Sequence, residues 1–414
     1  QCQLDRLLTK LSRVDRFGNS IHSCLRFTIL RNVGFHFFQP TSMPIRSEMM
    51  DITLMSPSAA VYNGRDESLT VKTRQDHKMR TLVFAIDVGY GSTKYTYRDS
   101  GGTVVAHAFP SLSPLAPPRK ISRWDAGAFT ARKTAEITVN GIDYEVGPDI
   151  SITAAHGWTG SVLADDYALT GNYAALLFGA LYFSGITHVD HLVLGLPVHL
   201  MGEFSGALKR RFLGKFEFGI GGVTIDDVIV GPQPMGGLVY AARCRKDYLP
   251  VGEPRLVIDV GYYTISWVYA HGFTIDGRRS CGMRAGTWDL CKCIAERISR
   301  DEDERIDDIE RIDLALRENT PYLFYGKEID LAPYLDLAMP IVSNAAREIR
   351  DHVGHHPELH SIILTGGGAE LFTTAIRNAF PNVLVEVVNP PSLANVHGYR
   401  VIGEVKSARV LRAS

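Results

Sequence analysis

The sequence predicts an α/β chain of two similar lobes, and three observations carry that prediction. Ala85–Tyr90 reads AIDVGY, and Val257–Tyr262, 172 residues later, reads VIDVGY. Each copy opens as an apolar strand, turns at a glycine and returns as a second strand, Lys94–Tyr97 (KYTY) or Ile265–Tyr269 (ISWVY). Near the far end, the apolar strand Ser361–Thr365 runs into Gly366, Gly367 and Gly368 and then into a helical pattern over Ala369–Phe380. At roughly 150 residues per domain, 414 residues suit two to three domains.

The elements follow in chain order. Residues 1–78 show neither helical nor strand periodicity and are set apart as a leader, either a targeting or regulatory extension or a stretch outside the native domain that starts at Met79. Met79-Arg80 leads at once into the apolar strand Thr81–Ile86 of the first hairpin. Asp165 and Asp166 precede an apolar run, Tyr173–Phe183, which reads as a buried helix, and the pair suits cap and turn work. Val228–Gln233 (VIVGPQ) reads as a strand-to-helix turn. After the second hairpin, Leu290–Ile298, Pro340–Val353 and Glu370–Phe380 have apolar residues near helical spacing, and Pro340 suits a first helical position. Arg300–Arg311 (RDEDERIDDIER) reads as a solvated helix face or loop, or as a contact between subunits.

The hairpins carry the chemistry. A glycine turn lets backbone N–H groups approach phosphate oxygens with no Cβ in the way. Ser92, Thr93 and Lys94 add donors in the first copy, and Thr264 in the second. An Asp at the end of each strand, Asp87 and Asp259, can hold Mg²⁺ through water, because Mg²⁺ keeps several waters and takes few carboxylates. An ordinary hairpin whose Asp and Gly only serve the turn has the same residues, but two copies in register favour a polyphosphate clamped between two lobes. The Gly366–Gly368 turn before a helix adds an anion site by backbone geometry and dipole, without the G-K-[ST] of a Walker loop.

Composition excludes several alternatives. Lys plus Arg number 44 against 45 Asp plus Glu, for a net charge of −1, which disfavours a protein that coats nucleic acid or carries a polybasic membrane patch. No apolar run reaches the ~18–20 residues of a membrane span. The six cysteines are scattered, which suits a reduced thiol pool and a cytoplasmic location rather than a disulfide framework. Cys291 and Cys293 sit two apart in a predicted helix, on different faces. His352, His355, His356 and His360 read as a surface loop rather than a metal pair, since Gly354 and Pro357 interrupt the helix. No Ser-His-Asp order is present.

Together, DVGYGSTK (Asp87–Lys94), IDVGYYT (Ile258–Thr264) and LTGGGAELF (Leu364–Phe372) resemble the first phosphate, second phosphate and adenosine motifs of the actin, Hsp70 and sugar-kinase superfamily. Further segments resemble plasmid-segregation actins of the ParM/StbA type, and among them the PRTRC system protein D group. These segments are YEVGPD (Tyr144–Asp149), DDYALTGNYAALLFGALYF (Asp165–Phe183), GLPVHL (Gly195–Leu200), IDLAL (Ile312–Leu316) and ANVHGYR (Ala394–Arg400). The resemblance covers about residues 81–405.

The resemblance implies a two-lobed actin-like ATPase fold of duplicated ribonuclease-H-like domains, with nucleotide in the interlobe cleft. Lobe I would span 79–250 and lobe II 251–390, and 391–414 would return to lobe I. It implies that Asp87 and Asp259 hold the waters around Mg²⁺. Backbone amides of Gly89, Tyr90, Gly91, Ser92 and Thr93, and of Gly261, Tyr262, Tyr263 and Thr264, would grip the ATP phosphates. Lys94 would contact phosphate, Gly366, Gly367 and Gly368 would pack on base and ribose, and Gln233 would position the attacking water as a neutral amide can. Tyr263 departs from the small residue many members have, and its ring must point away from the γ-phosphate. The implied function is an ATPase that assembles into filaments with ATP, segregating plasmid DNA through a DNA-binding adaptor protein, with no direct nucleic-acid or membrane contact. A small-molecule kinase of the same superfamily and a non-hydrolysing nucleotide-dependent scaffold are the rival readings; the kinase needs a catalytic Asp, and Gln233 stands in that place.

Overall fold

The computed structural model describes residues 79–117, 132–150, 163–244 and 253–413. The leader assigned to 1–78 lies outside the described residues. The first sheet begins with a meander of β1 (Met79–Val88), β2 (Ser92–Arg98) and β3 (Val104–Pro110). A small hairpin follows, β4 (Ala135–Val139) with β5 (Ile142–Val146). Helix α1 (Gly171–Ser184) leads into β6 (Ile186–Leu196), which lies parallel to β1. Then come α2 (Met201–Arg211), β7 (Gly214–Glu217), β8 (Gly222–Ile225), β9 (Val228–Pro232) and α3 (Gln233–Cys244). β8 and β9 pair in succession with the same edge of β6.

Local chemistry explains these elements. Val83–Val88 is buried on both faces of β1, because a central strand covered on both sides is apolar throughout rather than alternating. α1 is buried nearly all round, as expected of a helix apolar on every side. The Thr170 hydroxyl caps it by accepting from the Tyr173 N–H at 3.2 Å, and Gly185 ends it with φ +71°. The cap is therefore Thr170 rather than the Asp165-Asp166 pair, which lies in a separate 3₁₀ turn over Asp165–Leu169.

The second sheet repeats the plan. β10 (Pro254–Val260), β11 (Ile265–His271) and β12 (Thr274–Met283) form an antiparallel meander. Helices α4 (Thr287–Asp301) and α5 (Ile309–Glu318), the hairpin β13 (Tyr322–Phe324) and β14 (Lys327–Ile329), and α6 (Ala332–Val353) precede β15 (Ser361–Thr365). β15 lies parallel to β10 and is followed by α7 (Ala369–Ala379), β16 (Leu384–Val387) and α8 (Ala394–Ala413). The order β12-β11-β10-β15-β16 thus matches β3-β2-β1-β6-β9 in sequence and direction.

The two sheets exchange helices. Leu238 and Ala241 of α3, which follows the first sheet, bury against Val257, Val268 and Ile363 of the second. Val396 and Tyr399 of α8, which follows the second sheet, bury against Val83, Ala85 and Val193 of the first. The helices cross backbone to backbone, because a Cβ on Gly236 would lie 2.5 Å from the Asn395 carbonyl.

One helix differs from expectation. α6 starts at Ala332, eight residues before Pro340, so Pro340 lies inside it. The residue at the helix start is Pro333, and Pro340 is tolerated because it faces solvent, where water can satisfy the carbonyl its missing N–H leaves free.

Candidate functional site

The ends of β1 and β10 bring Asp87 and Asp259 to the cleft between the sheets. Both are buried, 4% and 6% exposed. Gln233, the first residue of α3, donates from Nε2 to Asp87 Oδ1 at 3.0 Å. Asp87 pairs in register with Lys94 on β2. Asp259 accepts from the Thr365 hydroxyl on Oδ1 (3.2 Å) and from Asn395 Nδ2 on Oδ2 (3.1 Å). Burial first, and the Asp87 charge second, push the Asp259 carboxyl up to about 6, against the pull of Lys94.

Close backbone packing fixes these groups. Gly366 has φ +90°, and a Cβ there would lie 2.7 Å from Asp259 Oδ1. A Cβ on Gly237 of α3 would lie 2.5 Å from Thr365 Cγ2. The buried Tyr399 hydroxyl of α8 donates to the Gln233 carbonyl at 3.3 Å. The start of α3 is thereby tied to α8 and, through Thr365, to Asp259.

A cavity of about 310 Å³ opens beside the first hairpin. Gly91, Ser92 and Lys94 line it from one side, and Tyr262 with Glu310, Asp313 and Arg317 from the other. Side chains on a strand alternate, so Ser92 and Lys94 face this space while Thr93 points inward. The Thr93 hydroxyl is fully buried and hydrogen-bonded to Ser111 Oγ at 2.9 Å, so it is not one of the cleft's donors. Asp313 is paired with Arg317 at 2.8 Å and accepts from the Thr287 hydroxyl at 3.2 Å. Burial raises the carboxyls of Asp313 and Glu310. The Tyr262 hydroxyl is buried with no hydrogen-bond partner beside these acids.

The second hairpin is held by α4. The N–H groups of Gly286, Thr287 and Trp288 donate to the carbonyls of Tyr263, Gly261 and Tyr262, at 3.2, 3.2 and 2.7 Å. Gly89 and Gly261 occupy matching places in the two turns, each facing a carbonyl three residues on, Ser92 or Thr264. The tips touch: a Cβ on Gly91 would lie 2.8 Å from Tyr262 Cβ, and the Tyr90 and Tyr263 rings are 4.9 Å apart. Tyr263 turns away from the cavity onto Tyr90 and Trp288, and Tyr262 is the tyrosine that lines it. Gly366, Gly367 and Gly368 form the turn between β15 and α7, with Gly366 N–H on the Pro391 carbonyl (2.9 Å) next to the cavity residues Ser392 and Leu393.

Sequence reading gave no roles to Thr365, Asn395, Tyr399, Glu310, Asp313 or Arg317, although four of them lie in segments that carried the resemblance. Among the described residues, one group has metal-ligand spacing: His188, Asp190 and Asp226, on β6 and after β8. Arg80 already pairs with Asp190 at 2.6 Å there. Described cysteines are free, with Cys291 buried in α4 and Cys293 partly so. His352 packs on Trp267 and His360 on Glu253. Among the described residues no helix is long and apolar enough to cross a membrane.

Residues 85–236 match the profile of the actin-like proteins' N-terminal domain, and residues 257–378 that of the archaeal actin homologue MreB-like C-terminal domain. No curated protein sequence matches. The fold is similar to that of the ParM in a 15-stranded filament from Clostridium botulinum (TM-score 0.63, 19% identity, 79% of this chain and 99% of that one). It is similar to the archaeal actin homolog Ta0583 in complex with ADP (0.59, 20%, 78% and 99%). A third similar structure is Bacillus thuringiensis ParM with AMPPNP (0.55, 14%, 78% and 98%).

Proposed function

This chain belongs to the actin-like proteins, and from that premise we propose that it is an Mg²⁺-dependent ATPase that assembles into filaments in its ATP state. One observation carries the reading. Two buried aspartates stand at the ends of the two central strands, and the amide that opens α3 is hydrogen-bonded to one of them. On this reading 79–250 and 251–390 are the two lobes, and 391–414 belongs with the first.

The residues fit both implied groups. Two carboxylates in one buried field, one of them held up at about 6, are a place where a dication relieves repulsion. Mg²⁺, held through water by Asp87 and Asp259, would supply charge neutralisation to the phosphates of ATP. Lys94 and Ser92 bring a cation and a hydroxyl to the same cavity. The turn amides from Gly89 to Ser92 and from Gly261 to Thr264 suit phosphate oxygens, and Gly366–Gly368 suits the nucleoside. With Nε2 spent on Asp87, Gln233 keeps its carbonyl oxygen to accept from a water and orient it, without acting as a strong base. A sugar kinase would need a carboxylate to take a proton from its acceptor, and the group in this place is neutral.

Self-assembly is supported by the similarity to a ParM described as a filament. Cytoplasmic plasmid segregation through a DNA-binding adaptor suits a chain of net charge −1, which lacks the basic excess of a direct DNA binder. The test is sedimentation of the full chain with Mg²⁺-ATP, with Mg²⁺-ADP and without nucleotide, alongside phosphate release with no acceptor added. Pelleting and phosphate release with ATP alone support the reading. No pelleting across a concentration series rejects the filament, and ADP formation without free phosphate, seen only with an added hydroxyl acceptor, makes the chain a kinase.

A further inference from the structure

The ring of the second hairpin's extra tyrosine, Tyr263, turns away from the cavity onto Tyr90 and Trp288. Gly91 completes the same turn in the first copy, so the backbone does not require a ring at Tyr263. Every ring contact of Tyr263 goes either across the cleft, to Tyr90, or to its own support on α4, Trp288, at 6.3 Å. Tyr90 is fixed in turn. Tyr167 stacks on it at 4.8 Å, and the Tyr90 hydroxyl donates to the Ala164 carbonyl at 2.8 Å. The next residue, Asp165, takes both donors of Arg284, Nε at 3.1 Å and Nη2 at 2.5 Å, in a two-point pairing. The Arg284 guanidinium also lies 5.9 Å from the Tyr263 ring centre. Asp165, Tyr167 and Tyr90 belong to the part of the chain built on the first sheet, and Tyr263, Arg284 and Trp288 to the part built on the second.

We propose that the Tyr90–Tyr263 ring contact and the Asp165–Arg284 ion pair form a latch that holds the two halves together at the hairpin end of the cleft and limits how fast nucleotide leaves. The exchange part of this proposal rests on the nucleotide reading above; the closure part does not. Ring and ion pair share Arg284, so the latch acts as one unit. The ion pair is half exposed, 54% and 44%, so it alone is weak and sensitive to salt. The rings are partly buried and add the salt-independent share.

The test uses the full chain with Asp165→Ala, Arg284→Ala, the double variant and Tyr263→Leu. Release of fluorescent N-methylanthraniloyl-ADP is followed by stopped flow. Each charge variant should speed release about threefold, and the double variant no more than either single. Tyr263→Leu should speed it by about fivefold to tenfold. Raising salt to ~0.5 M should speed the unaltered chain and leave the double variant unchanged. Unchanged release in both single charge variants, or effects that multiply in the double, overturns the latch. Small-angle scattering without nucleotide reads closure separately: the double variant should have the larger radius of gyration, and identical curves overturn the latch. If the unaltered chain binds no fluorescent nucleotide, the nucleotide reading fails and the scattering comparison still decides the latch.

Discussion

The two hairpins are copies in backbone and differ in charge, the first pairing its acid with a lysine and the second with a serine. Asp87 and Asp259 end equivalent strands, yet the residue across the ladder is Lys94 in the first and Ser266 in the second. The first half of the cleft therefore brings a cation, and α3 adds the amide of Gln233, proposed above to orient water. The second half brings a carboxylate held by two neutral donors, Thr365 and Asn395, and raised by its own burial. The two frames are equivalent and their side chains differ: one half sets its acid opposite a lysine, the other holds its acid with neutral donors. The tips divide in the same way, with Gly91 opposite Tyr262 and the ring of Tyr263 reaching back to Tyr90.

The largest effect expected from this division is on turnover. Asp87→Ala and Asp259→Ala should each reduce Mg²⁺-dependent phosphate release by about 10²–10³-fold, because each removes a group facing the phosphates' counter-ion. An Asp259→Ala chain with unchanged release would remove the second half from the site. Gln233→Ala should act more mildly, reducing turnover by about 10–10²-fold while nucleotide affinity stays within about threefold. A change confined to affinity would make Gln233 a prop for Asp87 rather than a positioner of water.

Legibility in the sequence followed range. The hairpins, the Ser361–Thr365 strand and the buried helix around Tyr173–Phe183 were readable because each is set by its own periodicity and turn residues. The sheet order and the actin-like fold came through the family resemblance. The return of 391–414 to the first lobe was an expectation of the resemblance, but the crossing of α3 to the second sheet and the neutral donors on Asp259 were not readable, since Asn395 lies 136 residues along the chain from the acid it binds. The same holds for Glu310 and Arg317, which enter the cavity from α5 with no motif of their own, and for Asp313, whose segment carried the resemblance without a role. Pro340 misled because a proline that can open a helix can also sit on its wet face, and only packing distinguishes the two.

The tips give a third prediction. Gly91→Ala places a methyl 2.8 Å from Tyr262 Cβ, and should destabilise the fold by about 1–3 kcal/mol in denaturant melts. Gly91→Ala combined with Tyr262→Gly should lose less stability than the two single losses summed, because the clashing Cβ and Cγ both belong to the Tyr262 side chain. If the two losses simply add, the tips are not pressed together.

The smallest effect is on stability, and it falls on Asp259. The Asp259 carboxyl rises from near 3.8 to about 6 on folding. Between those values the folded chain binds more protons than the unfolded one, so stability falls as pH rises through this window, and above about 6 the ionised acid is a standing cost. Asp259→Asn removes that cost. The new amide can still accept from Thr365 and can donate to Asn395 Oδ1, a buried atom with no partner of its own, once the Asn395 amide turns over. The variant should be about 1–2 kcal/mol more stable than the unaltered chain at pH 7.5, with the gap shrinking towards pH 4, as thermal melts at the two pH values would show. Mg²⁺ favours the ionised acid, so Mg²⁺-nucleotide affinity should weaken as pH falls through about 6 in the unaltered chain. A less stable Asp259→Asn chain at pH 7.5 would mean that the bonds from Thr365 and Asn395 to the ionised acid outweigh the cost of burying it, and the two halves would then differ in geometry alone.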